Sequence, residues 1–160
     1  MNSAYLLLGG NIGKVGESFS KALEKISSDV GNIIKTSPVY YSEPWGFESK
    51  NMFHNQAIQI DTALNPHEIL SSLLSIESSI GRTRKKEIVE SRKIDIDILL
   101  YNNLIINDNE LQIPHPRMHL RKFTLVPLSD IAPNEFHPLF KKTIVQLLES
   151  CDDTSEVIPL

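Results

Sequence analysis

Cysteine, long apolar runs and positive charge are all scarce in this sequence. The single cysteine, Cys151, excludes a disulfide within the chain and a cysteine-based zinc site. No apolar stretch is long enough to cross a membrane. The short apolar run near the N-terminus has no basic segment before it, so it predicts a first strand rather than a signal peptide. Together these absences indicate a reducing compartment, and we expect a cytoplasmic protein without a membrane partner.

Net charge limits the range of partners. The formal charge is −4 over 160 residues, so no overall field attracts nucleic acid. A bound anion must therefore use a local group of Lys and Arg side chains. The length, with 41% hydrophobic and 22% charged residues, is typical of one globular domain, which we place at residues 1–160. We expect this domain to be a monomer.

Helices and strands are mixed along the chain without a repeating βαβ rhythm. Strands are expected at 4–8, at 32–36 and on past Pro38 to Tyr41, at 53–62, and around the acidic segment 94–101, with 104–106 as its hairpin partner. Helices are expected at 15–26, after the N-cap Asn65, at 124–131 and after the N-cap Thr143. The last ten residues are expected to be loosely held. This order predicts an α+β fold with a mainly antiparallel sheet covered by helices.

One predicted strand carries two acidic residues on the same face. In ESRKIDIDILLY, residues 90–101, Asp95 and Asp97 are two positions apart. Their side chains therefore point the same way, with Cβ atoms roughly 6.5–7 Å apart. The isoleucines take the opposite face. An amphipathic strand with a simply solvated polar face is the plainer explanation of such a pair.

The neighbours of the two aspartates favour a functional interpretation. Two carboxylates on one side repel each other unless a cation lies between them, and carboxylate oxygens suit Mg²⁺. The basic residues that come just before them are Arg82, Arg84, Lys85, Lys86 and Arg92. Carboxylates that bind metal beside arginines that bind phosphate are the components of a phosphoryl-transfer site.

Two other motifs carry less weight. The stretch GGNIGKVGES fails as a P-loop because Gly9 and Gly13 are one residue too close, so it predicts a tight strand-to-helix turn instead. His115 and His119 are four apart, but prolines flank His115, which argues against a helical two-histidine metal site. We expect His115 to contact phosphate and His119 to have no specific role.

Seven motifs in consecutive order carry a resemblance to a known family. They are L-G-G-N at 8–11, Y-x-x-x-P-x-G at 40–46, F-x-N at 53–55, I-E-x-x-x-G-R-x-R at 76–84, R-x-I-D-I-D-I-L at 92–99, P-H-P at 114–116 and R-x-F-x-L-x-P-L at 121–128. With these motifs the chain resembles the 6-hydroxymethyl-7,8-dihydropterin pyrophosphokinases of folate biosynthesis over about residues 5–133. The arginine followed by D-x-D is the signature of that family.

The resemblance implies a fold, a reaction and a set of site residues. The fold would be ferredoxin-like, and pyrophosphate would pass from ATP to the hydroxymethyl group of the dihydropterin, leaving AMP. Catalytic roles would fall on Arg82, Arg92, Asp95 and Asp97, with the two aspartates holding two Mg²⁺ ions. ATP contacts would fall on Glu77, Arg84, Ile98, His115 and Arg121, and pterin contacts on Ser42, Glu43, Trp45, Phe53, Asn55 and Phe123. Phe53 and Phe123 would stack on the pterin ring, although ordinary core packing is the commoner role of a phenylalanine.

The chain departs from the family pattern at two places. The predicted lid, 82–91, has Val89 where many members carry an aromatic residue, and Glu110 and Gln112 stand where some members use Arg and Thr near the nucleotide. Two other functions fit parts of the pattern. One is a ferredoxin-like domain that senses a nucleotide without turning it over, and the other is a metal-dependent nucleotide hydrolase.

Overall fold

The computed structural model describes residues 1–11, 13–43, 52–81 and 94–160. In chain order its elements are β1 (Asn2–Gly10), α1 (Val15–Asp29), β2 (Asn32–Thr36), β3 (Tyr40–Ser42), β4 (Phe53–Thr62), α2 (Pro66–Ile80), β5 (Asp95–Tyr101), β6 (Ile106–Asn107), β7 (Gln112–Ile113), a 3-10 helix (Met118–Leu120), α3 (Lys122–Ile131), β8 (Phe136–His137), β9 (Lys142–Thr143), α4 (Ile144–Glu149) and β10 (Val157–Pro159). None of the helices within these ranges has the length and apolar character needed to cross a bilayer.

The main sheet is antiparallel at every pairing given for it. Its strand order is β10-β3-β4-β1-β5, and β2 also pairs with β4. The elements β1, α1, β2, β4, α2 and β5 follow the βαββαβ order, with strands arranged β2-β4-β1-β5. This arrangement is that of a ferredoxin-like fold. It confirms the α+β, mainly antiparallel prediction.

The alternating side chains of β1 divide the core into two parts. Leu6 and Leu8 belong to a first core, which α1 and α2 cover with residues such as Phe19, Ile69 and Leu73. Tyr5 and Leu7 face the other way into a second core, built with Ala57 of β4 and with Met118, Leu125 and Leu128. Because both faces are covered, β1 is buried along most of its length. Strand β1 is therefore the apolar centre of the molecule.

Strand β5 shows the predicted alternation and then departs from it. Ile96 and Ile98 face the first core, while Asp95 and Asp97 are half-buried on the opposite face. The register with β1 shifts between Tyr5 and Leu6, which pair with Leu100 and Ile98. This irregularity has the form of a β-bulge at Leu99. As a result Leu99 and Leu100 both enter the second core.

Helix capping confirms two of the predicted helix starts. The Asn65 side chain accepts a hydrogen bond from the Glu68 backbone N–H at 2.9 Å, and the Glu68 carboxylate accepts the Asn65 N–H at 2.8 Å. Thr143 and Gln146 form the same reciprocal pair at the start of α4. These side chains satisfy backbone donors that a helix N-terminus otherwise leaves unpaired.

Other predicted boundaries were wrong. Strand β1 continues through Gly9 and Gly10 because both pair with β4, helix α1 runs on to Asp29, and α3 begins at Lys122. Pro38 separates β2 from β3, since proline cannot donate to a ladder; Ser37 bonds Ala57 at the gap instead. Segment 104–106 does not pair with β5, because Ile106 pairs with Ile113 of β7. The tail is not loosely held throughout, because β10 pairs with β3.

The glycine between α1 and β2 leads to a stability prediction. A Cβ added at Gly31 would lie 2.3 Å from the Asp61 carbonyl oxygen, whereas one added at Gly16 in α1 would meet nothing within 4 Å. We expect Gly31→Ala to lower the free energy of unfolding by about 1–3 kcal/mol. Gly16→Ala should leave it unchanged or raise it by up to about 1 kcal/mol. Urea unfolding of the two variants checks this, and equal effects would contradict the close approach.

A buried histidine leads to a prediction about pH. His137 is 1% exposed, and its Nδ1 accepts backbone hydrogen bonds from Leu139 and Phe140 at 3.3 and 3.1 Å. Burial, with a smaller contribution from His119, lowers the pKa of His137 to about 4. The unfolded state, with a histidine pKa near 6.5, therefore binds more protons between about pH 4 and pH 6.5. The stability that His137 contributes is complete above pH 6.5 and is lost as the pH falls through this window.

We expect the free energy of unfolding to fall by about 1–3 kcal/mol from pH 6.5 to pH 4 because of His137. His137→Asn retains a side-chain acceptor but cannot titrate, so its stability should depend less on pH in this range. Denaturant unfolding at several pH values measures the difference between the two proteins. Parallel pH profiles for the wild type and the variant would show that His137 does not carry this dependence.

Candidate active site

One row of residues across the sheet links the predicted pterin and metal positions. Asn55 of β4 pairs with Gly9 of β1, and Gly9 pairs with Asp95 of β5. Residues directly opposite in antiparallel strands have side chains on the same face. Asn55 and Asp95 therefore lie on one face, about 10 Å apart across two strand spacings. The next row, Ala57, Leu7 and Asp97, places the second aspartate on that face too.

Gly9 has no side chain between the two sides of this row, and we call the surface from Asn55 to Asp95 the groove. A Cβ at Gly9 would lie 3.0 Å from Asn55 Nδ2. Any larger side chain would therefore displace Asn55 or fill the groove between Asn55 and Asp95. The sequence indicated a turn at Gly9, but the structure shows a close approach within a strand. This role was missed because it depends on the pairing of β1 with β4.

The Asn55 side of the groove contains buried polar atoms. Asn55 is 4% exposed and donates from Nδ2 to the Leu8 carbonyl oxygen at 3.5 Å. Ser42 is 1% exposed and pairs with Phe53 at the adjoining edge of the sheet. Among the residues that the structure describes, Asn55 Oδ1 and Ser42 Oγ are buried without a hydrogen-bond partner. Such atoms are rare in folded proteins, and they suit a ligand with in-plane donors and acceptors.

Aromatic side chains accompany these polar atoms. Phe53 begins β4 two residues before Asn55, so both share the face of the second core. Phe123 lies in the first turn of α3, which packs against β4, and its ring is partly buried against the second core. Glu43 is exposed at the end of β3. The predicted pterin contact Trp45 lies outside the described residues.

Helix α3 and the segment before it bring basic groups to the aspartates. Arg121, immediately before α3, interacts electrostatically with Asp97 and Asp95, and its Cζ lies 5.5 Å from the centroid of the Phe123 ring. Burial lowers the pKa of Arg121, and the two aspartates oppose that effect. The guanidinium remains charged at neutral pH. Arg121 is thus shared between the aspartate side and the aromatic side of the groove.

His115 approaches Asp97 as a neutral side chain. Burial first, and then Arg121 and Arg117, lower the pKa of His115 to about 4. Its Nδ1 accepts the Arg117 backbone N–H at 3.1 Å, so Nε2 carries the ring proton at pH 7. Nε2 lies 3.9 Å from Asp97 Oδ2, which is too long for a direct hydrogen bond. This contact is therefore not an ion pair at neutral pH, and His115 presents an N–H donor beside the carboxylate.

Arg117 is a basic residue that sequence reasoning missed. It lowers the pKa of both His115 and Arg121, so its charge lies near both. Its position directly after the P-H-P motif was the available indication. The predicted residues Arg82, Arg84 and Arg92, and the predicted lid with Val89, lie outside the described residues.

A cavity of about 320 Å³ adjoins Asp97 on the side of β7 and α2. Its lining includes Ile98, His115 and Leu70, together with Glu110 and Gln112. The two positions that depart from the family pattern therefore line the same cavity as Asp97. A hydrogen bond of 2.8 Å between His67 Nε2 and Asp108 Oδ2 ties one wall of the cavity to α2. The cavity is open enough to take part of a nucleotide.

Glu77, a predicted ATP contact, lies against the backbone of β5. It lies in the last turn of α2 and is 4% exposed. Its Oε2 accepts the Ile96 backbone N–H at 2.8 Å. His119, for which no role was expected, packs edge-on against Phe140 at 4.6 Å between ring centroids. His119 belongs to the C-terminal packing and not to the groove.

Comparison with known proteins gives a consistent result. Residues 5–133 match the model of the family described as 7,8-dihydro-6-hydroxymethylpterin-pyrophosphokinase. The chain is 41% identical over 136 residues to 2-amino-4-hydroxy-6-hydroxymethyldihydropteridine pyrophosphokinase of Porphyromonas gingivalis, covering 83% of this chain and 92% of the relative. It is 38% identical over 144 residues to the Aquifex aeolicus protein of the same name, covering 90% and 89%.

Longer relatives contain a similar region. A folic acid synthesis protein of Dictyostelium discoideum is 39% identical over 137 residues, which are 86% of this chain and 20% of the relative. The crystal structure of Plasmodium falciparum HPPK-DHPS wild type superposes with a TM-score of 0.77 at 19% identity, covering 92% of this chain and 44% of that one. At that identity the superposition supports the fold alone. This chain thus spans less than half of that solved chain.

Proposed function

Because this chain belongs to the 7,8-dihydro-6-hydroxymethylpterin-pyrophosphokinase family, we propose that the groove across Gly9 is where it transfers pyrophosphate from ATP to 6-hydroxymethyl-7,8-dihydropterin. The products are AMP and the dihydropterin diphosphate, and the reaction belongs to folate synthesis. The observation that carries the site assignment is the row Asn55, Gly9 and Asp95, which puts an amide and a carboxylate on one face with a glycine between them.

The aspartates suit a magnesium ion that is shared with a nucleotide. Within the described ranges no three His, Cys, Asp or Glu side chains are grouped as a metal site. Mg²⁺ commonly takes one or two carboxylates and completes its shell with waters and substrate phosphates. Asp95 and Asp97 supply that many carboxylates, and Asp97 lines the cavity beside β5. We propose that Asp95 and Asp97 bind two Mg²⁺ ions, as the family resemblance implies. Bound magnesium would reduce the negative charge of the phosphates.

The basic groups define the phosphate side of the site. Arg121 lies near both aspartates, Arg117 lies near Arg121 and His115, and His115 offers a neutral N–H donor beside Asp97. Together these groups can bind phosphate oxygens without the repulsion that the carboxylates alone would cause. The cavity lined by Ile98 and Leu70 then suits the rest of the nucleotide. Arg82, Arg84 and Arg92 are proposed as further phosphate contacts from the sequence motif.

The chemical step is a displacement at the β-phosphorus of ATP. The substrate hydroxyl oxygen forms a bond to that phosphorus, the bond to the α–β bridging oxygen breaks, and that oxygen leaves with AMP. The hydroxyl proton passes to solvent water in the same process. His115 is a weak base, since its pKa is about 4 and its Nδ1 accepts the Arg117 N–H. Positioning and electrostatic stabilisation should therefore provide most of the acceleration.

The pterin side follows from the polar and aromatic groups around Asn55. A flat heterocycle requires ring faces above and below, with donors and acceptors at its edge. We propose that Phe53 and Phe123 provide the faces, and that Asn55 and Ser42 provide edge contacts. Arg121 contacts the Phe123 ring and interacts with the aspartates, so it joins the two substrate positions. Glu43 and Trp45 remain proposed contacts from the motif.

The first prediction from the proposed function concerns the aspartates. We expect Asp95→Asn and Asp97→Asn each to reduce AMP formation at least ~100-fold, because each loses a charged metal ligand. The fold should survive, since both side chains are half-buried on the face of the groove. The assay measures AMP from ATP and Mg²⁺, with and without the hydroxymethyl dihydropterin.

Asp29→Asn is the matched control, because Asp29 is exposed at the end of α1 and its loss changes net charge equally. Near-wild-type turnover of Asp95→Asn or Asp97→Asn at saturating Mg²⁺ would contradict the proposal that both aspartates bind the metal. AMP release at the same rate without the pterin would instead support the hydrolase function. Nucleotide binding without any AMP would support the sensor function.

The second prediction concerns pterin affinity. Asn55→Ala should weaken pterin binding by about 1–3 kcal/mol, because the polar edge of the ring loses its partner. Phe123→Ala should weaken it by at least about 0.5–1.5 kcal/mol through loss of a ring contact. Phe136→Ala is the control, since Phe136 is 53% exposed in the β8–β9 hairpin. Fluorescence titration measures the dissociation constants, and unchanged values in both groove variants would place the pterin pocket elsewhere.

A further inference from the structure

Glu77 forms a hydrogen bond with the backbone of the edge strand β5 at Ile96, the residue between Asp95 and Asp97. Its carboxylate accepts the N–H of Ile96 at 2.8 Å, and the residue is 4% exposed. Ile96 stands between Asp95 and Asp97, and its own side chain points into the first core. A side chain from α2 therefore fixes the backbone that carries both carboxylates, and it does so from outside the groove.

The geometry of β5 explains why this backbone needs a partner. In the described main sheet β5 is the last strand, with β1 on one side. Successive residues in an antiparallel ladder alternate between bonding toward the partner strand and directing their N–H and C=O groups away from it. Since the Ile96 N–H is bonded to Glu77, it lies on the outer side of β5. The same alternation directs the Asp95 and Asp97 backbone groups toward β1.

A second contact covers the outer edge further along β5. The His115 backbone N–H donates to the Leu99 carbonyl oxygen at 3.0 Å. The outer edge of β5 is thus hydrogen-bonded to Glu77 at Ile96, before the bulge, and to the His115 backbone at Leu99, in the bulge. The part of the strand that carries the aspartates is therefore held on both edges, by β1 on the inner side and by Glu77 on the outer side.

We propose that Glu77 is a positioning residue for the metal site. This proposal rests on the proposed function of Asp95 and Asp97. The burial of Glu77 and its bond to Ile96 place it behind the strand rather than in the groove. Removing the acceptor leaves a buried N–H unsatisfied and lets the edge strand relax. The directions of the two carboxylates then become less defined. Contacts of this kind around metal ligands typically change metal affinity by ~10–100-fold.

Three variants at Glu77 distinguish the effect of side-chain length from the effect of charge. Glu77→Ala removes the acceptor, Glu77→Asp keeps the charge but shortens the side chain by one methylene, and Glu77→Gln keeps both the length and an acceptor oxygen. Glu149→Ala is the control, since Glu149 is exposed at the end of α4. The probe is Mn²⁺ in the presence of a non-hydrolysable ATP analogue, with free Mn²⁺ measured by electron paramagnetic resonance.

We expect the Mn²⁺ dissociation constant to rise at least ~10-fold in Glu77→Ala and Glu77→Asp, and to stay within ~3-fold of wild type in Glu77→Gln. Hydrogen exchange of the Ile96 amide should accelerate in the first two variants and remain slow in the third. Pterin affinity should be unchanged throughout. If Glu77→Ala does not fold, the Asp and Gln variants still make the comparison.

Wild-type Mn²⁺ affinity in Glu77→Asp, despite fast exchange at Ile96, would overturn the proposal. So would a loss of Mn²⁺ affinity in Glu77→Gln equal to that in Glu77→Asp, since charge rather than position would then be responsible. A raised dissociation constant for the ATP analogue measured without metal would assign Glu77 to a direct nucleotide contact and also overturn it. Failure of the proposed function appears separately, as wild-type protein that forms no AMP from ATP and the pterin.

Discussion

Repulsion between two carboxylates on one face of an edge strand is the constraint to which the rest of the site responds. At the separation of two strand residues this repulsion is on the order of 2 kcal/mol for an effective dielectric constant near 20. Arg121 offsets it from one side, and burial, together with Arg121 and Arg117, lowers the pKa of His115 and keeps it neutral. The backbone that bears the charges is meanwhile bonded along both edges. The protein thus keeps a concentrated negative charge in place before any cation or substrate arrives.

The two proposed substrate positions are adjacent because one strand, β1, separates them. Strand β1 contributes Gly9 between Asn55 and Asp95, while its Leu7 anchors the second core below the groove. Helix α3 closes the other side, with Arg121 immediately before the helix and Phe123 in its first turn. The apolar packing of α3 therefore sets the distance between the aromatic contacts and the charged ones. The same fold is retained at 19% identity in a solved Plasmodium falciparum chain, which indicates that this layered packing tolerates extensive substitution.

Local patterns in the sequence were sufficient for much of this arrangement. Alternation in 53–62 and 94–98 gave the faces of Phe53, Asn55, Asp95 and Asp97, and the caps Asn65 and Thr143 gave two helix starts. These features depend on residues a few positions apart. The contact of Gly9 with Asn55, the bond from Glu77 to Ile96, and the pairing of the C-terminal strand depend on residues that are 19 or more positions apart. Side-chain periodicity contains no information about such contacts, so they could not be predicted.

The bulge in β5 has a consequence for how this region can vary in evolution. A one-residue slip along a regular strand turns every side chain to the opposite face. In β5 the irregularity at Leu99 lies between the aspartates and the turn that follows Tyr101, where Asn102 adopts a left-handed conformation with φ of 47°. An extra residue is already absorbed there, and bonds to Ile96 and Leu99 fix the strand ahead of it. Insertions or deletions in the loop beyond can therefore accumulate without rotating Asp95 and Asp97 to the opposite face of the sheet.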